Sequence, residues 1–170
     1  MEPFDAEKFA RRLLDVAAEG GQPLADVLAE AGERLPFNLH TGVEVRSVEP
    51  GRAQTVLRQD HRLDNHIGTV HAIAELAPAE LAGATAVGSR LGPLYAAGYL
   101  PLVRDLRVRY RKPARGELVA TASFGAEEAA AIQAAVDAGE RAACDVEVDV
   151  SDAEGTVAEV TLGFVFKQLA

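Results

Sequence analysis

The chain has 170 residues, enough for one domain with a substantial core, and 48% of its residues are apolar and 25% charged, as in an ordinary globular protein. Its formal net charge of -9 argues against binding to nucleic acid or to an anionic membrane, because both need a basic surface. A single cysteine, Cys144, excludes an intrachain disulfide and a multi-cysteine zinc site, and we expect neither a metal nor a cofactor. We expect a cytoplasmic protein, since the sequence shows neither a signal peptide nor an apolar run of about 20 residues.

Two helices are predicted at the start of the chain. Apolar residues recur at helical spacing up to Gly20, and Pro23 suits the first turn of a second helix that ends near Gly32. We therefore interpret residues 1–35 as a helical extension and residues 36–170 as the main domain.

The main domain alternates between strand patterns and helical ones. Two short strands joined by a turn are predicted within residues 39–58, and an apolar helix is predicted from about residue 69 to residue 91, with a kink at Pro78. Four strands are then predicted within residues 106–166, with a short helix at 126–138 after the second of them.

The alternating strands need a cover on their apolar face, and the long Ala-rich helix is apolar nearly all round. An antiparallel sheet wrapped around a long central helix is the hotdog architecture, for which this order of elements is typical. The sequence thus predicts an α+β protein with a hotdog fold and an N-terminal helical extension.

The entry to the central helix carries several polar groups. Thr69 suits an N-cap, and Gly68 lets a ligand approach the backbone. Because a first helical turn offers unpaired N–H groups and partial positive charge, residues 68–72 are predicted to form an oxyanion hole. Glu80 follows His71 by nine residues, half a turn around a helix, so the two would share a site only across a two-fold axis. A carboxylate on an apolar helix is costly to bury, which suggests a function for Glu80.

This segment resembles the helix entry of hotdog acyl-CoA thioesterases. The motif N-x-x-G-T-x-H-A is formed by Asn65, Gly68, Thr69, His71 and Ala72, and Glu80-Leu81-Ala82-Gly83 follows it. It is similar to the phenylacetate-pathway-like subgroup, which has N-x-x-G-x-x-H-G-G with Asp or Glu nine residues after the His. It is more similar still to an uncharacterised sister family known as a domain of unknown function. Residues 111–116, RKPARG, also resemble a strand end of the group, and the resemblance runs from about Phe37 to Lys167.

The resemblance implies a thioesterase that acts on an acyl-CoA or acyl-carrier thioester as a homodimer or as a homotetramer built from two dimers. Glu80 would be the general base or nucleophile, and Asn65 would position the attacking water or the thioester. His71 and the Gly68 backbone would hold the thioester carbonyl, with Thr69 and Ala72 beside them.

The sequence departs from the pattern of the thioesterases in two ways. Ala72 and Ile73 replace the glycines of H-G-G, which narrows the approach to the backbone. Glu75 is an additional acid that shares a helical face with His71 and could pair with it, although a structural or solvent-facing role beside Pro78 is the favoured interpretation.

Six basic residues are concentrated in twelve positions: Arg104, Arg107, Arg109, Arg111, Lys112 and Arg115. Guanidinium groups bind phosphates through paired N–H donors, so Arg109, Arg111 and Arg115 are predicted to bind the phosphates of coenzyme A. The alternative is a solvated strand face that balances the acidic strand at residues 145–149.

Two other functions and a metal site remain as alternatives to the thioesterase. The missing glycines suggest a non-catalytic acyl-CoA binder. The fourteen-residue spacing of His66 and Glu80 suggests an enoyl-thioester hydratase or dehydratase, although the hydratase pattern G-D-x-N-P-x-H is absent. His61, His66 and His71 are spaced by five, but the absence of a partner cysteine disfavours a metal site.

Overall fold

The computed structural model describes residues 4–168 as six helices and six strands. The helices are α1 (Ala6–Ala17), α2 (Gly21–Arg34), α3 (Pro36–Thr41), α4 (Leu76–Gly88), α5 (Gly92–Ala96) and α6 (Ala126–Asp137). The strands are β1 (Glu44–Glu49), β2 (Arg52–Arg58), β3 (Tyr99–Tyr110), β4 (Glu117–Ser123), β5 (Ala143–Asp152) and β6 (Gly155–Gln168). A 3₁₀ turn spans His61–Leu63.

The six strands form one antiparallel sheet in the order β1-β2-β4-β5-β6-β3. Its inner face is apolar because side chains alternate along each strand: Val146, Val148 and Val150 of β5 are buried, whereas the acidic residues between them are exposed. Helix α4 packs against β1, β2, β4, β5 and β6, and is therefore enclosed by the sheet. The predicted α+β class and the sheet wrapped around a central helix are confirmed.

The central helix begins later than the sequence predicts. It starts at Leu76, so neither the helix start at Thr69 nor the kink at Pro78 is present. Pro78 is the third helical residue, where its missing N–H costs no hydrogen bond; in the middle of a helix it would break one and clash with the preceding turn. The carbonyl of Pro78 accepts a hydrogen bond of 2.6 Å from the buried Thr55 hydroxyl, which fixes the start of the helix on β2.

Two further elements differ from the sequence prediction. Helix α3 occupies residues where the strand pattern was expected to begin, and the buried Asn38 side chain holds it by donating to the Gly32 carbonyl at 2.8 Å. Strand β3 begins at Tyr99 rather than near Leu106. A bulge between Val103 and Asp105 shifts the alternation of inner and outer side chains. The first half of the strand therefore does not continue the period-two pattern of the second half.

The N-terminal helices share the core of the sheet. Leu13 of α1 and Leu24 of α2 belong to the same buried cluster as the strands and α4. The division into an extension at 1–35 and a domain at 36–170 stays a prediction, and its outer ends, residues 1–3 and 169–170, lie outside the described residues. Between residues 4 and 168, no helix is both long and apolar enough to cross a membrane.

Candidate active site

Glu80 lies on α4 and borders a cavity of about 200 Å³ between α1, α2, α4 and the start of β3. The polar side chains in the wall of this cavity are Glu80, Thr85 and Tyr95, and the rest of the wall is apolar. Within residues 4–168 the Glu80 carboxyl has neither a hydrogen bond nor an ion pair, and burial raises its pKa above the usual value of 4.5. A carboxyl whose pKa is raised by burial in an apolar cavity holds a proton more tightly than an exposed one, which suits a group that exchanges protons with a ligand.

The His71 side chain caps the turn that leads into α4. Its Nδ1 atom accepts a hydrogen bond of 3.1 Å from the Ile73 N–H, and its carbonyl accepts from the N–H groups of Ala74 and Glu75 at 2.8 and 3.2 Å. Since Nδ1 is the acceptor, the proton of the neutral imidazole is assigned to Nε2. The exposed His71 ring can therefore donate a hydrogen bond to a ligand.

Asn65 holds the loop in front of this turn. Its Oδ1 atom accepts from the N–H groups of Ile67 and Thr69 at 3.0 and 3.2 Å, and its Nδ2 atom donates to the Thr69 hydroxyl and the Val70 carbonyl at 2.7 and 3.3 Å. These four bonds use both N–H donors and both acceptor positions of the Asn65 side-chain amide. In this structure Asn65 acts on the shape of the loop, and the buried Thr69 is its partner rather than a helix cap.

Residues 68–72, the predicted oxyanion hole, do not form the expected first turn of a helix. The N–H groups of Gly68 and Thr69 donate to Asn65, that of Val70 donates to the Ala114 carbonyl at 2.9 Å, and that of His71 donates to the Leu63 carbonyl at 2.7 Å.

Within the described part of the chain, the Ala72 N–H is the one backbone donor of residues 68–72 without a partner. The Ala72 carbonyl accepts a hydrogen bond of 2.8 Å from the hydroxyl of Tyr110, which fixes the turn on the end of β3. The sequence offered no signal for this contact, because 38 residues separate the two.

Glu75 is buried, which contradicts a solvent-facing position but not the structural role that was the other half of the expectation, and it makes no hydrogen bond or ion pair with the His71 side chain within residues 4–168. Its side chain is 3% exposed, and its Oε2 atom has no partner among the described residues. Burial, followed by the charge of Asp152, raises the pKa of Glu75 to about 7. Because the helix starts at Leu76 and not at Thr69, Glu75 lies in the entry turn, and the helical face that it was expected to share with His71 does not exist.

Four of the six basic residues pair with acidic side chains. Arg104 and Arg107 contact Asp145 at 3.0 and 2.8 Å. Arg111 binds Glu159 through two nitrogens at 2.6 to 2.9 Å.

Lys112, the fourth of these residues, contacts Asp152 at 2.9 Å. Arg115 donates to the Gly68 carbonyl at 3.1 Å, and Arg109 has no partner between residues 4 and 168. Two of these four residues, Arg104 and Arg107, contact the acidic strand at residues 145–149 as the strand-face interpretation expects, whereas Arg111 and Lys112 pair with acids outside it. Arg109 and Arg115 keep guanidinium groups that no carboxylate neutralises among the described residues.

Strand β3 leaves one edge of the sheet without a partner. It pairs with β6 alone, and Leu102, Val103, Leu106 and Tyr110 are exposed along it. A long unpaired edge strand with exposed apolar side chains is a template for pairing with another chain.

Within one chain, the Glu80 cavity does not include the Asn65–Ala72 loop. Over residues 4–168, no three His, Cys, Asp or Glu side chains lie close enough together to hold a metal ion.

Solved structures show the same fold at low sequence identity. A probable thioesterase of unknown function from Pseudomonas aeruginosa is similar with a TM-score of 0.75 and 23% identity, over 85% of this chain and 95% of that chain. A thioesterase from Haemophilus influenzae gives a TM-score of 0.63 and 17% identity, over 85% and 91% of the two chains. A mutant of the phenylacetic acid degradation protein PaaI from Thermus thermophilus gives 0.58 and 20%, over 76% and 97%.

These likenesses confirm the hotdog fold. No curated protein matches the sequence. The family described as Domain of unknown function (DUF4442) matches residues 26–165, which is most of the chain. The chain therefore belongs to the DUF4442 family.

Proposed function

We propose that the protein hydrolyses acyl thioesters of coenzyme A or of an acyl carrier, at a site shared between two protomers. The observation that carries this proposal is the Glu80 carboxyl, which lies in an apolar cavity without a charged partner among residues 4–168. Burying a carboxyl group in an apolar cavity lowers the stability of the protein, which favours a function for Glu80 in proton transfer. The thioesterases among the proteins of similar fold support the same chemistry.

In the proposed reaction, the Glu80 carboxylate takes a proton from a water molecule as the water oxygen attacks the thioester carbonyl carbon. The negative charge that develops on the carbonyl oxygen is held by the Ala72 N–H and the Nε2–H of His71, supplied by the loop of the second protomer. The tetrahedral intermediate collapses with release of the thiolate, which takes the proton from Glu80. Asn65 contributes by holding the loop in shape.

The phosphates of coenzyme A are proposed to bind near Arg109, Arg111 and Arg115. Arg109 has no carboxylate partner in the described part of the chain, and Arg115 already contacts the Gly68 loop. Arg111 is shared with Glu159 and would contribute a weaker contact.

The function is tested directly by free-thiol release from a series of acyl-CoA substrates. We expect saturable release that depends on enzyme concentration. No release from any member of the series, with the protein folded, contradicts the proposal.

The shared site requires the protein to be a dimer. Replacing Leu106, which is 36% exposed on β3, with lysine places a charge on the unpaired edge, and we expect the Leu106→Lys protein to be monomeric and inactive. Light scattering after size-exclusion chromatography measures the oligomeric state. Leu14→Lys on α1, at an exposed position away from β3, is the matched control and should stay dimeric. A monomeric parent protein with full activity would rule out the shared site.

A second candidate function is non-catalytic binding of acyl-CoA. Ile73, 62% exposed, follows Ala72 at a position where the thioesterases that this segment resembles have glycine. Calorimetry that shows coenzyme A binding, together with no thiol release, would favour this candidate.

A further inference from the structure

We infer that α1 and α2 form the wall of an acyl pocket next to Glu80, and that this pocket takes an uncharged acyl group of about eight carbons or one aromatic ring. The inference rests on the proposed function for the identity of the ligand as an acyl group. The cavity itself, its size and its lining are independent of that function.

The apolar wall of the cavity comes largely from the N-terminal helices. Phe9 and Leu13 of α1 face Leu28 and Ala31 of α2 across it, with Leu100 of β3 at one side. Helix α4 contributes Glu80, so a thioester whose carbonyl carbon is next to this carboxyl has α1 and α2 around its acyl tail.

These helices are a fixed wall rather than a loose cover. Gly32 of α2 is buried directly against Leu81 of α4, and a Cβ atom at Gly32 would overlap the Cδ1 atom of Leu81. The Arg12 guanidinium contacts the Glu30 carboxylate at 2.8 Å and so joins α1 to α2. The side chains of the wall therefore bound the cavity on the protein side, and the rest of its boundary is open to solvent.

The volume gives the size of the acyl group. A cavity of about 150 Å³ holds the six carbons of benzene, so the 200 Å³ next to Glu80 corresponds to about eight carbons. An acyl chain of about sixteen carbons needs roughly twice that volume.

The charge of the wall gives the chemical class. No Lys, Arg or His lines the cavity among residues 4–168, and its one ionisable acid is Glu80. An acyl group that ends in a second carboxylate would be buried without a counter-ion beside another acid, which is strongly unfavourable. The pocket therefore favours uncharged hydrocarbon tails over tails that end in a carboxylate.

The test uses the full chain and a series of straight-chain alcohols from four to twelve carbons, titrated by calorimetry. The affinity of the parent protein should rise about fourfold for each added methylene and level off at about eight carbons. Ala31→Leu adds three carbons to the wall and should move the levelling point to about five carbons; Leu28→Ala removes three and should move it to about eleven. Ala10→Leu, at an exposed position on α1 outside the cavity, is the matched control and should keep the parent profile.

The same proteins are assayed with acyl-CoA substrates of increasing chain length, and the preferred length should shift in the same direction. Identical alcohol profiles for Ala31→Leu, Leu28→Ala and the control, or no binding to the parent, would overturn the pocket. Alcohol binding that shifts as expected, with no thioester hydrolysed by any of the proteins, supports the pocket and contradicts the proposed function. If the parent and both variants hydrolyse acyl-CoA with the same preferred chain length, the function is supported and the pocket is overturned.

Discussion

Replacing Glu80 with glutamine is expected to lower kcat for thioester hydrolysis by a factor of about 10² to 10⁴, with a much smaller change in KM. Glutamine keeps the size of the side chain and its place in the cavity but cannot accept the proton of the attacking water. The loss should therefore fall on the chemical step and leave substrate binding largely intact. Free-thiol release at saturating substrate measures kcat, and a titration of the substrate gives KM.

The pH profile provides a second readout of the same group. The active form of Glu80 is the carboxylate, and burial raises its pKa, so kcat/KM of the parent should fall as the pH drops through a value above 4.5. In the Glu80→Gln protein this acidic limb should disappear from the residual activity.

The matched control is Glu75→Gln, since Glu75 is a second buried acid five residues earlier with no proposed contact to the substrate. It should keep kcat within a few-fold of the parent. A Glu80→Gln protein that hydrolyses at the parent rate would exclude Glu80 as the base.

The second large effect concerns stability and comes from Glu75. Its pKa is about 7 in the folded protein and about 4.3 in an unfolded chain, so the folded state binds the proton more tightly. The stability that this proton contributes is fully present below about pH 4.3 and is lost as the pH rises toward and through 7. Between pH 5 and pH 8 the loss is on the order of 2 to 3 kcal/mol.

Glu75→Gln removes this dependence, because the amide does not titrate. We compare the free energy of unfolding of the Glu75→Gln protein with that of the parent at each pH. The difference, variant minus parent, should rise by about 2 to 3 kcal/mol on going from pH 5 to pH 8. Urea unfolding at the two pH values measures this difference. The same substitution at the exposed Glu19 should change it by less than about 0.5 kcal/mol. Equal effects of Glu75→Gln at pH 5 and at pH 8 would show that Glu75 is not held protonated.

The fold was largely predictable because its pattern is local. Alternating side chains, as in Val146 to Val150, mark a strand that has one buried face, and the apolar run around Leu81 marks an enclosed helix. Strand β3 was only half predicted, since the bulge near Asp105 breaks the alternation on which the prediction depends.

The set of site residues stays a prediction, and the geometry of the loop that carries them differs from the one expected from the sequence. Gly68 and Thr69 look like a helix start, yet the helix begins at Leu76, after a turn in which His71 Nδ1 accepts a hydrogen bond from the Ile73 N–H. The contacts that decide this arrangement, such as that between Tyr110 and the Ala72 carbonyl, join residues far apart in the sequence. The burial of Glu75 and the cavity next to Glu80 follow from the same long-range packing, and no periodicity reports it.

The enclosure of α4 by the sheet also sets the order of events during synthesis. Helix α4 ends at Gly88, whereas the strands that cover it continue to Gln168 at the end of β6. The ribosome adds about 5 to 20 residues per second, so these 80 residues take roughly 4 to 16 seconds to make. During that interval β4, β5 and β6 are added one after another, so the cover of the most apolar helix is complete only at its end.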